Sequence, residues 1–114
     1  MKKIYRLRKN WEFANIMETN HQVLNRHLII YFLPAKELKV GIVTPKKFCN
    51  AVLRNYYKRQ MKSIIHDLNI YNWKFHMVVI LRKDFLNLEF AKKKNIVKNL
   101  LETIENESNK VRKI

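Results

Sequence analysis

The seven residues Phe75–Leu81, FHMVVIL, form the most apolar strand-like run in the chain and constrain its fold more than any other segment. β-Branched and aromatic side chains favour extended backbone, and a run this apolar belongs in the interior of a sheet. From Val23 the pattern is also β. His27–Leu33, HLIIYFL, is ended by Pro34 and is apolar on both alternating faces, Leu28, Ile30 and Phe32 on one and Ile29, Tyr31 and Leu33 on the other. Such a strand calls for cover on both sides. The break Pro34–Glu37 reads as a hairpin loop that returns Leu38–Thr44 antiparallel beside it, with Pro45 as its stop. Gly41, the single glycine of the chain, sits in mid-strand and marks a close approach by another backbone or a ligand.

Between these strands lies Lys46–Lys62, KKFCNAVLRNYYKRQMK, which carries six cations and no acid. Lys46 and Lys47 precede a helix that Asn50 can cap by accepting from the free amides of its first turn. Arg54, Lys58 and Lys62 recur every four residues and line one face, while Leu53, Tyr57, Met61, Ile64 and Leu68 line another. The helix is expected to end near Leu68. Solvated helix faces ordinarily interleave glutamate with lysine, yet no acid occurs from Leu38 to His66. Unrelieved like charge costs stability, so an anionic partner is the reading that this stretch favours over a merely solvated face. A helix N-terminus flanked by cations is physically suited to phosphate.

Two further helices frame these elements. Asn10 can cap a short helix over about residues 11–19 with Phe13, Ile16 and Met17 on its apolar face, and Asn87 can cap a last helix in which Phe90, Val97, Leu100, Leu101 and Ile104 are buried. Lys92, Lys93, Lys94 and Lys98 fall on the other faces of that last helix, interleaved with Glu89, Glu102, Glu105 and Glu107, the pattern of a solvated surface. Residues 70–74 read as a polar connection. The order helix, two or three strands, helix, strand, helix gives an α+β fold, a small α/β sandwich whose helices cover a mixed sheet. The 114 residues form one domain, with a flexible basic arm over residues 1–9 and a frayed tail over 110–114.

A net charge of +15, from 24 Lys and Arg against 9 Asp and Glu, makes nucleic acid the leading partner. No apolar run approaches a transmembrane span and no signal-peptide core precedes the domain, so no membrane partner and a cytoplasmic location are expected. The lone Cys49 has no histidine near it in sequence, and His21, His27, His66 and His76 lack metal-ligand spacing. No catalytic residue and no protein-held metal are expected.

The motif residues resemble the protein subunit of bacterial ribonuclease P. That family is marked by a strand ending in V-G, a K-K pair and then G-N-A-V-x-R-N-R-x-K-R, against which stand Val40-Gly41, Lys46-Lys47 and Cys49-Asn50-Ala51-Val52-Leu53-Arg54-Asn55-Tyr56-Tyr57-Lys58-Arg59. Cys49 replaces the family glycine and Tyr56 the second arginine. Arg6-Leu7 to Phe13 is similar to the family's R-L-K-K-N-x-x-F, Asn25-Arg26 to Tyr31 to its N-R-x-x-x-x-Y, and Val78 to Lys83 to its I-I-I-A-R-K. The resemblance implies a left-handed β-α-β crossover, an exception to the usual hand. It also implies a protein that joins a catalytic RNA to remove 5′ leaders from precursor tRNA, an endoribonuclease activity carried by the RNA with Mg²⁺. By the same resemblance Lys46, Lys47, Asn50, Arg54, Asn55, Lys58 and Arg59 would face the catalytic RNA, with Lys62 continuing their row, and Phe13, Met17 and Tyr31 would face the leader. Met17 stands where the family often has phenylalanine. Taken without the family, Phe13 and Tyr31 sit at positions where aromatics are ordinarily core. The alternative is a non-enzymatic basic RNA-binding protein such as a small ribosomal protein. A helix-turn-helix DNA-binding module is disfavoured because no two helices are adjacent in the chain.

Overall fold

The computed structural model describes residues 5–7, 9–19, 21–47 and 49–112, with side chains as far as residue 106. In chain order the elements are α1 (Asn10–Glu18), β1 (Gln22–Leu24), β2 (Leu28–Pro34), β3 (Lys39–Val43), α2 (Ala51–Leu68), β4 (Phe75–Leu81), α3 (Lys83–Leu86) and α4 (Phe90–Arg112). They make an α+β fold with one mixed sheet in the order β1-β2-β4-β3.

The apolar run 75–81 does lie inside the sheet, and its position corrects the hairpin expected between β2 and β3. β4 inserts between them, antiparallel to β2 from Leu28↔Leu81 to Pro34↔Phe75 and parallel to β3 from Lys39↔His76 to Val43↔Ile80. The chain reverses after Pro34 as expected, but the ladder goes to β4. The physical reason is burial: β3 offers five residues and β4 seven, five of them buried, so the longer apolar strand takes the interior. The hairpin of this sheet is instead β1-β2, turned at Asn25, whose Oδ1 accepts from the amides of His27 at 2.8 Å and Leu28 at 2.9 Å.

Strand alternation sorts the sheet into two unlike faces. On one, Leu28, Ile30, Phe32, Val40, Ile42, Met77, Val79 and Leu81 are buried with Met61, Ile64 and Ile65 of α2 and Val97, Leu100, Leu101 and Ile104 of α4. Each such side chain contributes roughly 1.5–3 kcal/mol on leaving water. On the other, α1 sets Ile16 against Val78 and Leu7, while Phe13, Tyr31, Leu33, Val43 and Ile80 are only partly covered. Cover on both sides of β2 is therefore unequal, complete beneath α2 and α4 and partial beneath the nine residues of α1.

Several local expectations change. Asn10 is the first helical residue of α1, and Lys9 holds the cap position without a side-chain hydrogen bond. The unforeseen α3 uses Phe85 and Leu86 as core, with Asn87 as its C-cap rather than as an N-cap, and Phe90 at the start of α4 is 41% exposed. The stretch 70–74 is less polar in effect than in composition, since Ile70 is buried and Trp73 packs edge-on to Phe75. Lys93 is not on a solvated face: it is 2% exposed and hydrogen-bonded, and burial pushes its ammonium below the ordinary lysine range. Of the N-terminal arm, Arg6 bridges Val40 in parallel and the Leu7 amide donates to the Val40 carbonyl at 3.2 Å, which covers the outer edge of β3. Lys2, Lys3 and Arg8 of that arm lie outside the described residues, as do residues 113–114 of the tail, and the helical backbone of α4 runs to Arg112.

Among the described residues the close approach to Gly41 is made by a side chain. A Cβ at this position would run into the tip of the Phe13 ring and stand 3.2 Å from Leu7. Gly41→Ala should therefore destabilise the domain by about 1–3 kcal/mol through overpacking. In a Phe13→Ala background, thermal or urea melts should show the same substitution to be nearly neutral; an equal loss in both backgrounds would mean that the ring does not set the requirement for glycine.

Candidate nucleic-acid interface

α2 crosses between the parallel strands β3 and β4, and its two caps are both read from asparagine. Asn50 Oδ1 accepts from the Leu53 amide at 2.9 Å, and Asn69 closes the helix in the left-handed region at φ 52°, which asparagine tolerates. The helix buries Met61, Ile64 and Ile65, half-buries Tyr57 and Leu68, and turns its remaining surface outward. Leu53, expected in the buried stripe, is 40% exposed at the first turn.

The cations foreseen from the sequence are brought together along this helix and the turn before it. Lys46 and Lys47 are exposed in the turn, Asn50, Asn55 and Arg59 are exposed, and Arg54, Lys58 and Lys62 are half-buried along the helix. Among the described residues no ion pair takes up Arg54, Lys58, Arg59 or Lys62, whereas Arg26–Asp84, Lys39–Glu37 and Lys94–Asp67 are paired. Burial first, then the like charges of Arg6 and Lys58, push Lys62 below its ordinary lysine range. Among the described residues Arg54, Lys58, Arg59 and Lys62 thus stand beside one another without an acidic counter-charge.

Arg6, placed by its bridge to β3, extends this field. It joins Arg59, Lys62, Ser63 and His66 around an open depression of about 360 Å³. Ser63 and His66 were not among the residues singled out from the sequence, although their spacing from Arg59 and Lys62 sets them on the same helix surface. His66 Nδ1 is 2.8 Å from the Tyr71 hydroxyl, whose ring lies 4.7 Å from that of Tyr5. Cys49, where the family motif has glycine, is buried in the main core.

The second group of residues is carried by α1 and the partly covered sheet face. Tyr31 of β2 is half-buried opposite Val78, Phe13 is half-buried over Gly41, and Met17 is 38% exposed on α1. His76, Lys39 and Leu33 meet at the end of the same face. This is an apolar surface with aromatic and cationic members that α1 does not close, distinct from the cationic face of α2. Among the described residues no helix is long and apolar enough to cross a membrane, and no group of three or more His, Cys, Asp or Glu could hold a metal ion.

Fold and surface together define a small basic α+β domain with a cationic crossover helix and a half-open sheet face. The chain belongs to the ribonuclease P protein family, whose model, described as Ribonuclease P, matches residues 1–105. The ribonuclease P protein component of Mycoplasmopsis synoviae (strain 53) is 44% identical over 112 residues, spanning 98% of this chain and 100% of the relative. That of Staphylococcus aureus (strain N315) is 38% identical over 89 residues, 75% of this chain and 70% of the relative. Among solved structures, the Staphylococcus aureus RNase P protein superposes with a TM-score of 0.79 at 27% identity over 88% of this chain and 94% of that one. The Thermotoga maritima RNase P protein gives 0.77 at 27% identity over 86% and 96%.

The half-open face carries its own pH dependence. Burial, and then Lys39 on the neighbouring strand, lower His76 below its usual 6.5, against a smaller opposite pull from Glu37 and Glu12. A lowered histidine favours the neutral ring in the folded state, so its contribution is present above 6.5 and is lost as pH falls through the folded value. Urea titrations from pH 7.5 to 5 should show a smaller loss of stability for His76→Gln than for the wild type. Identical losses would remove His76 from the acid response.

Proposed function

We propose that this chain is the protein subunit of ribonuclease P, binding the catalytic RNA through α2 and the 5′ leader of precursor tRNA through the α1-side sheet face. The observation that carries the reading is the cation row of α2, left without acidic partners among the described residues in a chain of net charge +15. Phosphates supply the missing counter-charge, and each contact releases condensed cations from the RNA. In this reading Lys46, Lys47, Arg54, Lys58, Arg59 and Lys62 bind backbone phosphates. Asn50 Oδ1 is occupied by the Leu53 amide, so that side chain reaches RNA through its NH₂, and Asn55 adds a neutral donor and acceptor.

In this reading the labour is divided as the family resemblance implies. Phosphodiester cleavage is assigned to the RNA and to Mg²⁺ held mainly by it, and the protein's residues bind and orient. α2 docks the catalytic RNA by charge, while Tyr31, with Phe13 and Met17 beside it, gives unpaired leader nucleotides a surface on which bases stack with little sequence preference. A precursor would then be distinguished from a mature tRNA by the extra strand that only the precursor has. In this reading the protein acts in the cytoplasm, with the two RNAs and no membrane as its partners.

Tyr31→Ala tests the leader assignment in the assembled holoenzyme. Affinity for a precursor tRNA with a leader of several nucleotides should fall by roughly 1–3 kcal/mol, the value of one stacked base. Mature tRNA binding should be nearly unchanged and the melting temperature of the protein little altered. Equal losses for the two RNAs, or a large drop in melting temperature, would make Tyr31 a packing residue only.

A further inference from the structure

Tyr56 occupies the position at which the family motif has its second arginine, and its surroundings differ from those of a free surface tyrosine. Lys93 Nζ, on α4, donates to Gln60 Oε1 at 2.7 Å, and Gln60 Nε2 donates in turn to the Tyr56 hydroxyl oxygen at 3.0 Å. The buried end of this chain is fixed from several sides. Lys93 is 2% exposed, its ammonium lies 4.9 Å from the ring centre of Tyr57 and 5.5 Å from that of Phe85, and the Tyr57 ring packs edge-on to Tyr56 at 5.3 Å. The outer end is open, since Tyr56 is 46% exposed.

The direction of the hydrogen bonds follows from donor and acceptor inventory. An ammonium has three protons and no acceptor, so the Gln60 atom that meets Lys93 must be the carbonyl oxygen. This settles an amide orientation that geometry alone often leaves open. The Gln60 nitrogen is therefore turned to Tyr56, and because an NH₂ group only donates, the phenolic oxygen must accept. A phenol has one proton, and with Gln60 occupying a lone pair that proton points away from Gln60. No acceptor among the described residues takes it. The exposed ring thus presents a donor outward, as an arginine would, although a tyrosine hydroxyl can ordinarily act either way.

We propose that Lys93 and Gln60 are positioning residues that hold Tyr56 as a hydrogen-bond donor to a phosphate oxygen of the catalytic RNA. The inference rests on the reading of α2 as the face that meets that RNA. It assigns the buried lysine of α4 a part in RNA binding although it touches no RNA: it fixes the amide, the amide fixes the hydroxyl, and the hydroxyl contacts the RNA. In RNA-free protein the Gln60–Tyr56 bond contributes little, because it joins neighbouring turns at the surface; its effect appears when an RNA acceptor takes the free proton.

A double-substitution cycle tests the relay. Affinity for the cognate ribonuclease P RNA, transcribed in vitro, is measured for wild type, Tyr56→Phe, Lys93→Met and the double variant, with thermal melts of each. Tyr56→Phe should lower affinity on the order of tenfold, as expected for one hydrogen bond to a charged acceptor. Lys93→Met should lower it about threefold or more in the wild-type background and by less than about twofold in the Tyr56→Phe background, the coupling expected of groups in one hydrogen-bond network. Loss of packing alone would lower affinity equally in both backgrounds. Should Lys93→Met melt below the assay temperature, Gln60→Met enters the same cycle with the same expectation. Equal losses in both backgrounds, or no loss from Tyr56→Phe, overturn the relay while the function stands. A wild-type chain that does not bind this RNA overturns the function and the relay together.

Discussion

The burial of β4 between β2 and β3 is the constraint on which the rest of this structure depends. A seven-residue strand with five buried positions needs a ladder on each side, and it acquires one antiparallel and one parallel neighbour. A parallel neighbour cannot be reached by a tight turn, so the chain must cross over, and the crossover contains α2. Once α2 is pinned by Met61, Ile64 and Ile65 on the sheet, its cations have no place but the outer surface. The electrostatic character of the molecule therefore follows from a packing requirement of its most apolar segment.

The same requirement leaves the opposite sheet face short of cover. α2 and α4 both lie over one face, and α1 is too short to close the other, so Tyr31, Leu33, Val43 and Ile80 stay half-buried. Gly41 allows the Phe13 ring to sit low on that face, and Arg6 and Leu7 cover the free edge of β3 beside it. Two surfaces result, one cationic and one apolar with aromatic members. Their chemistry matches the two things an unpaired or folded RNA offers, phosphates and bases.

What could be read from the residues was whatever depends on short-range pattern. The Asn50 cap, the end of α2 at Leu68, the strand at 75–81 and the basic row from Arg54 to Lys62 are all properties of spacing within one element. The pairing of β3 was not legible, because adjacency in the chain favours a hairpin and only the competition for the sheet interior sends β3 to β4. Lys93 was misjudged for a related reason. It stands among lysines and glutamates that do face water, and its burial depends on Tyr57 and Gln60 of α2 and Phe85 of α3, far from it or on another element. Asn87 and Phe90 were misplaced because the four residues of α3 carry too little periodicity to announce a helix. The family motif could mark Tyr56 as a departure from arginine, but not show that Gln60 and Lys93 orient its hydroxyl.

In the proposed function this protein contributes binding while an RNA contributes the chemistry, and reconstitution measures that division directly. Cleavage of a precursor tRNA is followed at low Mg²⁺ with the cognate ribonuclease P RNA alone, with the protein alone after rigorous removal of contaminating RNA, and with both. Slow or no cleavage by the RNA alone is expected at that Mg²⁺ concentration, none by the protein, and rapid release of the 5′ leader by the two together. Cleavage by the RNA-free protein, or an RNA whose rate the protein does not raise, would contradict it.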